Sequence, residues 1–200
     1  MKRRMVHFFA ATVSVLALTF GAAGSAFAGP ATDVVKSKQS ALFDALKAAG
    51  DQKKIDGLFD EMLDYQGITE ASLGSEWAAR SDAEKAQFGD LLKQLVRKGY
   101  ERNLKKILNF DVEYLGEEAE GSAVLVKTKS KSKNADARAE PVEIVFKMIQ
   151  KDGKWKVTDI VTEGVSLVGS YRSQFTKIVK KDGFPALITK MKEKLAKGDV

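Results

Sequence analysis

The chain has 200 residues, with one histidine, no cysteine, and 33 Lys and Arg against 27 Asp and Glu, a formal charge of +6. The absence of thiols excludes a disulfide framework and any Cys-based nucleophile or metal site, so stability has to come from a packed core. Lys2, Arg3 and Arg4 precede an apolar run from Val6 to Phe20 and small residues ending Ala26-Phe27-Ala28 before Gly29-Pro30, the pattern of a secretory signal peptide over residues 1–28. An anchoring membrane helix fits less well, because the run is short for a span of about 20 residues. Cleavage after Ala28 leaves residues 29–200, read as one domain, and lowers the formal charge from +6 to +3 by removing Lys2, Arg3 and Arg4. It also removes His7, the only imidazole. Ser-His and Cys-His catalysis and His- or Cys-ligated zinc are thereby excluded from the exported chain, and its mild charge gives no support to a nucleic-acid partner.

From 32 to 109 the chain reads as helical. Val34, Val35, Leu42, Phe43 and Leu46 fit a first amphipathic helix, and Ile55, Leu58, Phe59, Met62 and Leu63 form the stripe of a second. A short helical piece is expected around Ala71 to Arg80. Ser81, with Glu84 three residues on, is a capping box that opens the longest helix, whose apolar face runs through Phe88, Leu91, Leu92, Leu95, Val96, Leu104 and Leu108.

From 110 to 162 the period changes to two. Expected strands are Phe110 to Leu115, Ala123 to Lys129, Val142 to Gln150 and Lys154 to Thr162, with Asp152-Gly153 as a two-residue hairpin turn. That turn sets Met148 opposite Val157, Ile144 opposite Val161, and Asp159 opposite Phe146. The polar segment Lys129 to Glu140 reads as a hairpin tip. Two C-terminal helices, about Val165 to Val179 and Pro185 to Ala196, complete residues 165–197. Helices before and after an antiparallel sheet make the fold class α+β, with helices covering one face of a curved sheet.

Gly164-Val165-Ser166-Leu167-Val168-Gly169 superficially resembles a nucleophile elbow, but the spacing is one residue too long and no mature histidine can activate Ser166. The bland reading is that Gly164 makes a tight turn and Ser166 caps a helix. Asp159, among apolar strand neighbours, is expected to bond backbone amides at a nearby helix start or to sit at the sheet's wet end; the rival reading sets it at a pocket mouth as an enzyme's carboxylate. Lys127, Lys129, Lys131 and Lys133 alternate, as a solvated sheet edge would, or as a surface for an anionic membrane or acidic partner.

Asp159 to Val168, with Tyr171-Arg172-Ser173-Gln174-Phe175, Gly183 to Ile188, the Ser81-Asp82-Ala83-Glu84 cap with Phe88 and Tyr100, and Asp152-Gly153-Lys154-Trp155, resembles the MlaC family over about Thr32 to Lys197. These are the periplasmic phospholipid-binding components of toluene-tolerance or Mla-type ABC transport systems. The Lys-rich segment Lys127 to Arg138 and the sparse tyrosines of the long helix depart from the family pattern.

The resemblance implies a nuclear-transport-factor-like curved sheet with added helices, and a phospholipid as bound ligand with no cofactor. It further implies no catalysis, and transfer of lipid between an outer-membrane lipoprotein complex and an inner-membrane ABC transporter with an MCE-domain subunit, which maintains outer-membrane lipid asymmetry. A monomer is expected. The expected lipid-lining residues are Leu92, Val96, Ile144, Phe146, Met148, Val157, Val161, Val165, Val168 and Tyr171. A hopanoid-type ligand, or a protein-binding or chaperone-like module using the same sheet face, are the alternatives.

Overall fold

The computed structural model describes residues 29–48, 51–106, 108, 110–133 and 140–198. The expected signal peptide and residues 134–139 of the expected hairpin tip lie outside the described residues. Six α-helices are described: α1 (Pro30–Lys47), α2 (Gln52–Met62), α3 (Tyr65–Leu73), α4 (Asp82–Lys106), α5 (Leu167–Asp182) and α6 (Phe184–Lys197). They enclose one face of an antiparallel sheet of order β1 (Phe110–Glu120), β2 (Ala123–Ser132), β3 (Val142–Lys151), β4 (Lys154–Thr162) and β5 (Val165–Ser166). The class is α+β, as expected from the sequence.

The capping box forms as written. The Ser81 N–H donates to Glu84 Oε2 at 2.9 Å, and the Glu84 N–H donates to Ser81 Oγ at 3.3 Å, which satisfies amides the first turn of α4 cannot. From that start α4 runs 25 residues and buries Phe88, Leu91, Leu92, Leu95, Val96, Tyr100 and Leu104. Arg97, on its outer side, holds α2 by donating to Asp56 at 3.1 Å and pairing with Asp60, and also donates to the Tyr65 hydroxyl at 3.2 Å. Burial raises the Asp60 pKa, but Arg97 and Lys93 outweigh it and hold the carboxyl below its ordinary range.

The buried face of the sheet carries Val126 and Thr128 of β2, Ile144, Phe146 and Met148 of β3, and Val157 and Ile160 of β4. Asp152 and Gly153 both take positive φ, 51° and 72°, as a type I′ hairpin turn demands. Met148 pairs with Val157 as expected, but a bulge between Lys147 and Met148 shifts the rest of the ladder. Asp159 therefore lies opposite Lys147, Ile160 opposite Phe146, and Val161 opposite Val145, not opposite Ile144. One inserted residue reverses the pleat, so Ile160 turns to the helices and Val161 to the outer face.

Beside the bulge, the link between α2 and α3 bridges Leu63 to Val157, with the Asp64 N–H donating to the Val157 carbonyl at 2.9 Å.

Three further expectations are corrected. The helical piece near Ala71 begins earlier, as α3 from Tyr65, and ends in a single 3-10 turn at Gly74–Glu76. β1 does not stop at Leu115 but continues to Glu120 through a bulge between Tyr114 and Gly116. Lys127, Lys129 and Lys131 belong to β2, an inner strand, and Lys133 follows directly after it, so the row is not an edge. Lys127 pairs with Glu118, Lys131 with Glu113 at 3.5 Å and Lys133 with Asp111 at 3.4 Å. These pairs are exposed and screened by water, so they neutralise the row more than they stabilise the sheet.

Candidate functional site

At Glu163 and Gly164 the chain reverses with φ of 49° and 75°, and β5 pairs back on the end of β4, Val161 with Ser166 and Thr162 with Val165. The helix expected from Val165 thus begins two residues later, at Leu167. Ser166 caps it, accepting from the Gly169 N–H at 2.8 Å. Asp159 fixes this corner: its Oδ1 accepts from the Ile160 N–H at 2.8 Å and the Val168 N–H at 3.0 Å, and its Oδ2 from the Ser166 hydroxyl. Of the two ordinary expectations for this carboxylate, amides at a helix start or the sheet's wet end, the first is the one that forms.

This corner, the C-terminal half of α4 and the inner face of β3 and β4 surround two adjoining cavities. The larger, about 290 Å³, is lined by Gln39, Tyr100, Asn103, Leu104, Lys106, Phe110, Val142, Ile144, Ile160 and Thr162. The smaller, about 210 Å³, is lined by Val96, Tyr100, Asn103, Ile160, Thr162, Val165, Ser166, Leu167, Ser170 and Tyr171. Tyr100 and Asn103 on α4 and Ile160 and Thr162 on β4 belong to both, so they form the waist of one divided space.

Among the described residues, Lys106 is the one charged side chain in either lining. Burial raises the pKa of Tyr100 and Tyr171, and pushes Tyr114 up to about 12, so all three phenols stay protonated at neutral pH. The walls are therefore apolar with neutral hydrogen-bonding groups, a composition suited to a long apolar ligand. A larger concavity of about 600 Å³ lies between α2 and α4, but Asp56, Arg97, Lys98, Glu101, Arg102 and Lys105 line it. Such a charged, open surface cannot shelter apolar chains.

Of the ten residues expected from sequence, Val96, Ile144, Val165 and Tyr171 stand at these cavities. Leu92, Phe146, Met148, Val157 and Val168 fill the core around them. Val161 is turned to the opposite face by the bulge. Val165 forms a rim and is 61% exposed.

Tyr100, Leu104, Ile160, Thr162, Val142 and Phe110 were not among the expected lining residues. Tyr100 continues the i, i+4 series from Val96 and Leu104 and was legible in principle. Ile160 was not, because its direction depends on the bulge.

Residues 30–193 match the protein family described as MlaC protein. The intermembrane phospholipid transport system binding protein MlaC of Haemophilus influenzae is 27% identical over 139 residues, which cover 67% of this chain and 64% of that protein. The match thus spans somewhat less than two thirds of that relative's length. The phospholipid-binding protein of Ralstonia solanacearum, solved in complex with a phospholipid, superposes with a TM-score of 0.71 at 23% identity, over 86% of this chain and all of that one. That likeness shows a shared fold. With the family match running from the start of α1 into α6, the chain belongs to the MlaC family.

Proposed function

We propose that this protein is a periplasmic phospholipid carrier that takes lipid between an outer-membrane lipoprotein complex and an inner-membrane ABC transporter bearing an MCE-domain subunit, and so maintains outer-membrane lipid asymmetry. The observation that carries the reading is the divided apolar space between α4 and the inner face of β3 and β4. The family membership and the names of its relatives support it.

The physical need is large. At ~0.8 kcal/mol per CH₂, two long acyl chains cost on the order of 20 kcal/mol to hold in water. A cavity of roughly 150 Å³ accepts benzene, about 25 Å³ per carbon, so spaces of 290 and 210 Å³ take roughly 20 carbons between them. Two long chains carry more, so their headgroup-proximal carbons lie at the rim or the walls part to admit them. No catalytic step belongs to this reading, since Asp159 commits both oxygens to the corner it holds.

Filling the space should stabilise the fold. At ~24 cal/mol per Å³, rigid cavities of 290 and 210 Å³ correspond to about 7 and 5 kcal/mol, and wall relaxation recovers a good part of that. A net gain of about 4 kcal/mol places the Tm of lipid-loaded protein about 8–16 °C above that of protein stripped of lipid. Calorimetry of the two forms checks this, and equal Tm values would contradict the proposal.

A further inference from the structure

Tyr100 stands at the waist of the divided space, and its ring is held between Phe59, at 5.4 Å between centroids, and Phe146, at 6.5 Å. The residue is 8% exposed, and among the described residues its hydroxyl has no hydrogen-bond partner. Gln39, the nearby amide, is 1% exposed. Its Oε1 accepts from the Tyr114 hydroxyl at 2.9 Å. Gln39 lies near enough to the Tyr100 hydroxyl to oppose the effect of burial on its pKa, yet no hydrogen bond of normal distance and angle joins the two. Gln39 Oε1 keeps a second lone pair, but the Tyr100 hydroxyl makes no hydrogen bond to it, so among the described residues its proton lacks an acceptor.

Burying a donor without an acceptor is destabilising, and phenylalanine would fill the same volume without that penalty. Burial also keeps the phenol protonated, so it remains a donor at any physiological pH. Both Tyr100 and Gln39 line the larger cavity. The missing group is thus a neutral acceptor carried by a largely apolar ligand.

We infer that the Tyr100 hydroxyl donates a hydrogen bond to an ester carbonyl of the bound lipid, and so makes the cavity selective for ester-linked over ether-linked chains. The inference rests on the carrier reading and deepens it. Two saturated chains of equal length differ at this position only in the carbonyl, which an ether lacks. A site with an unanswered buried donor discriminates against the ligand that leaves it unanswered.

The test measures displacement of a fluorescent fatty acid from lipid-stripped protein by dipalmitoyl phosphatidylglycerol and by its di-O-hexadecyl analogue, for wild type and Tyr100→Phe. Wild type is expected to prefer the diester about tenfold. Tyr100→Phe, which keeps the ring packing, is expected to bring that ratio close to one by weakening the diester alone.

Equal binding of the two lipids by wild type overturns the inference and leaves the carrier reading standing. So does a Tyr100→Phe variant that loses both lipids equally, since that marks a packing role. Failure of wild type to bind either lipid removes the carrier reading and this inference with it.

Discussion

Ile160→Trp is expected to exclude lipid while the protein stays folded. Ile160 is 8% exposed, faces Phe146 across the ladder and lines both cavities, so its side chain sits where the space divides. Tryptophan adds six heavy atoms, about one benzene, and a benzene takes a cavity of roughly 150 Å³. That is most of the smaller space of 210 Å³ and half of the larger of 290 Å³.

The ring also has room to go there, so the overpacking cost of about 1–3 kcal/mol is partly offset by the void it fills. Lipid recovered with the purified variant should fall at least tenfold, with Tm within a few degrees of stripped wild type. Full stoichiometric lipid in the variant would show that the chains lie elsewhere. Val161→Trp is the control, because its side chain belongs to the outer face, and it should leave lipid content unchanged.

Asp159→Ala should give the largest loss of stability of any single polar substitution at this corner. Alanine leaves the Ile160 and Val168 amides and the Ser166 hydroxyl without their acceptor, and Ser166 in turn positions the cap of α5 at Gly169. Hydrogen bonds to a charged group are worth about 1.5–3 kcal/mol each; with water reaching part of the corner, a total near 3 kcal/mol is expected. For a domain of this size that lowers Tm by about 6–12 °C, which a thermal melt reads directly. Asp159→Asn keeps one carbonyl acceptor for the amides but turns a donor toward Ser166, and should lose about half as much. An unchanged Tm in Asp159→Ala would mean that the corner is held by packing alone.

Much of this was legible from residues alone. The capping box at Ser81 and Glu84, the I′ turn at Asp152-Gly153, the Ser166 cap and the amide-binding part played by Asp159 all depend on local chemistry and form as read. What was not legible depends on contacts distant in sequence.

The bulge in β4 sits beside a contact from Asp64 to Val157, 93 residues on, and no local pattern announces it. It moved Ile160 into the site and Val161 out of it. For the same reason, hydrophobic periodicity found the core-facing residues Phe146, Met148 and Val157 but could not separate them from those, such as Ile144, that border open space. The neutral donors Tyr100 and Gln39 escaped because a polar residue in an apolar stripe gains meaning only when its partners are known.

Mass spectrometry shows most directly whether the divided space holds a phospholipid. The protein would be purified without detergent from the periplasmic fraction and extracted with organic solvent beside a mock preparation. About one phospholipid per protein, absent from the mock and strongly reduced in Ile160→Trp, is the predicted result. A well-folded protein whose extract matches the mock would rule out lipid carriage in this space.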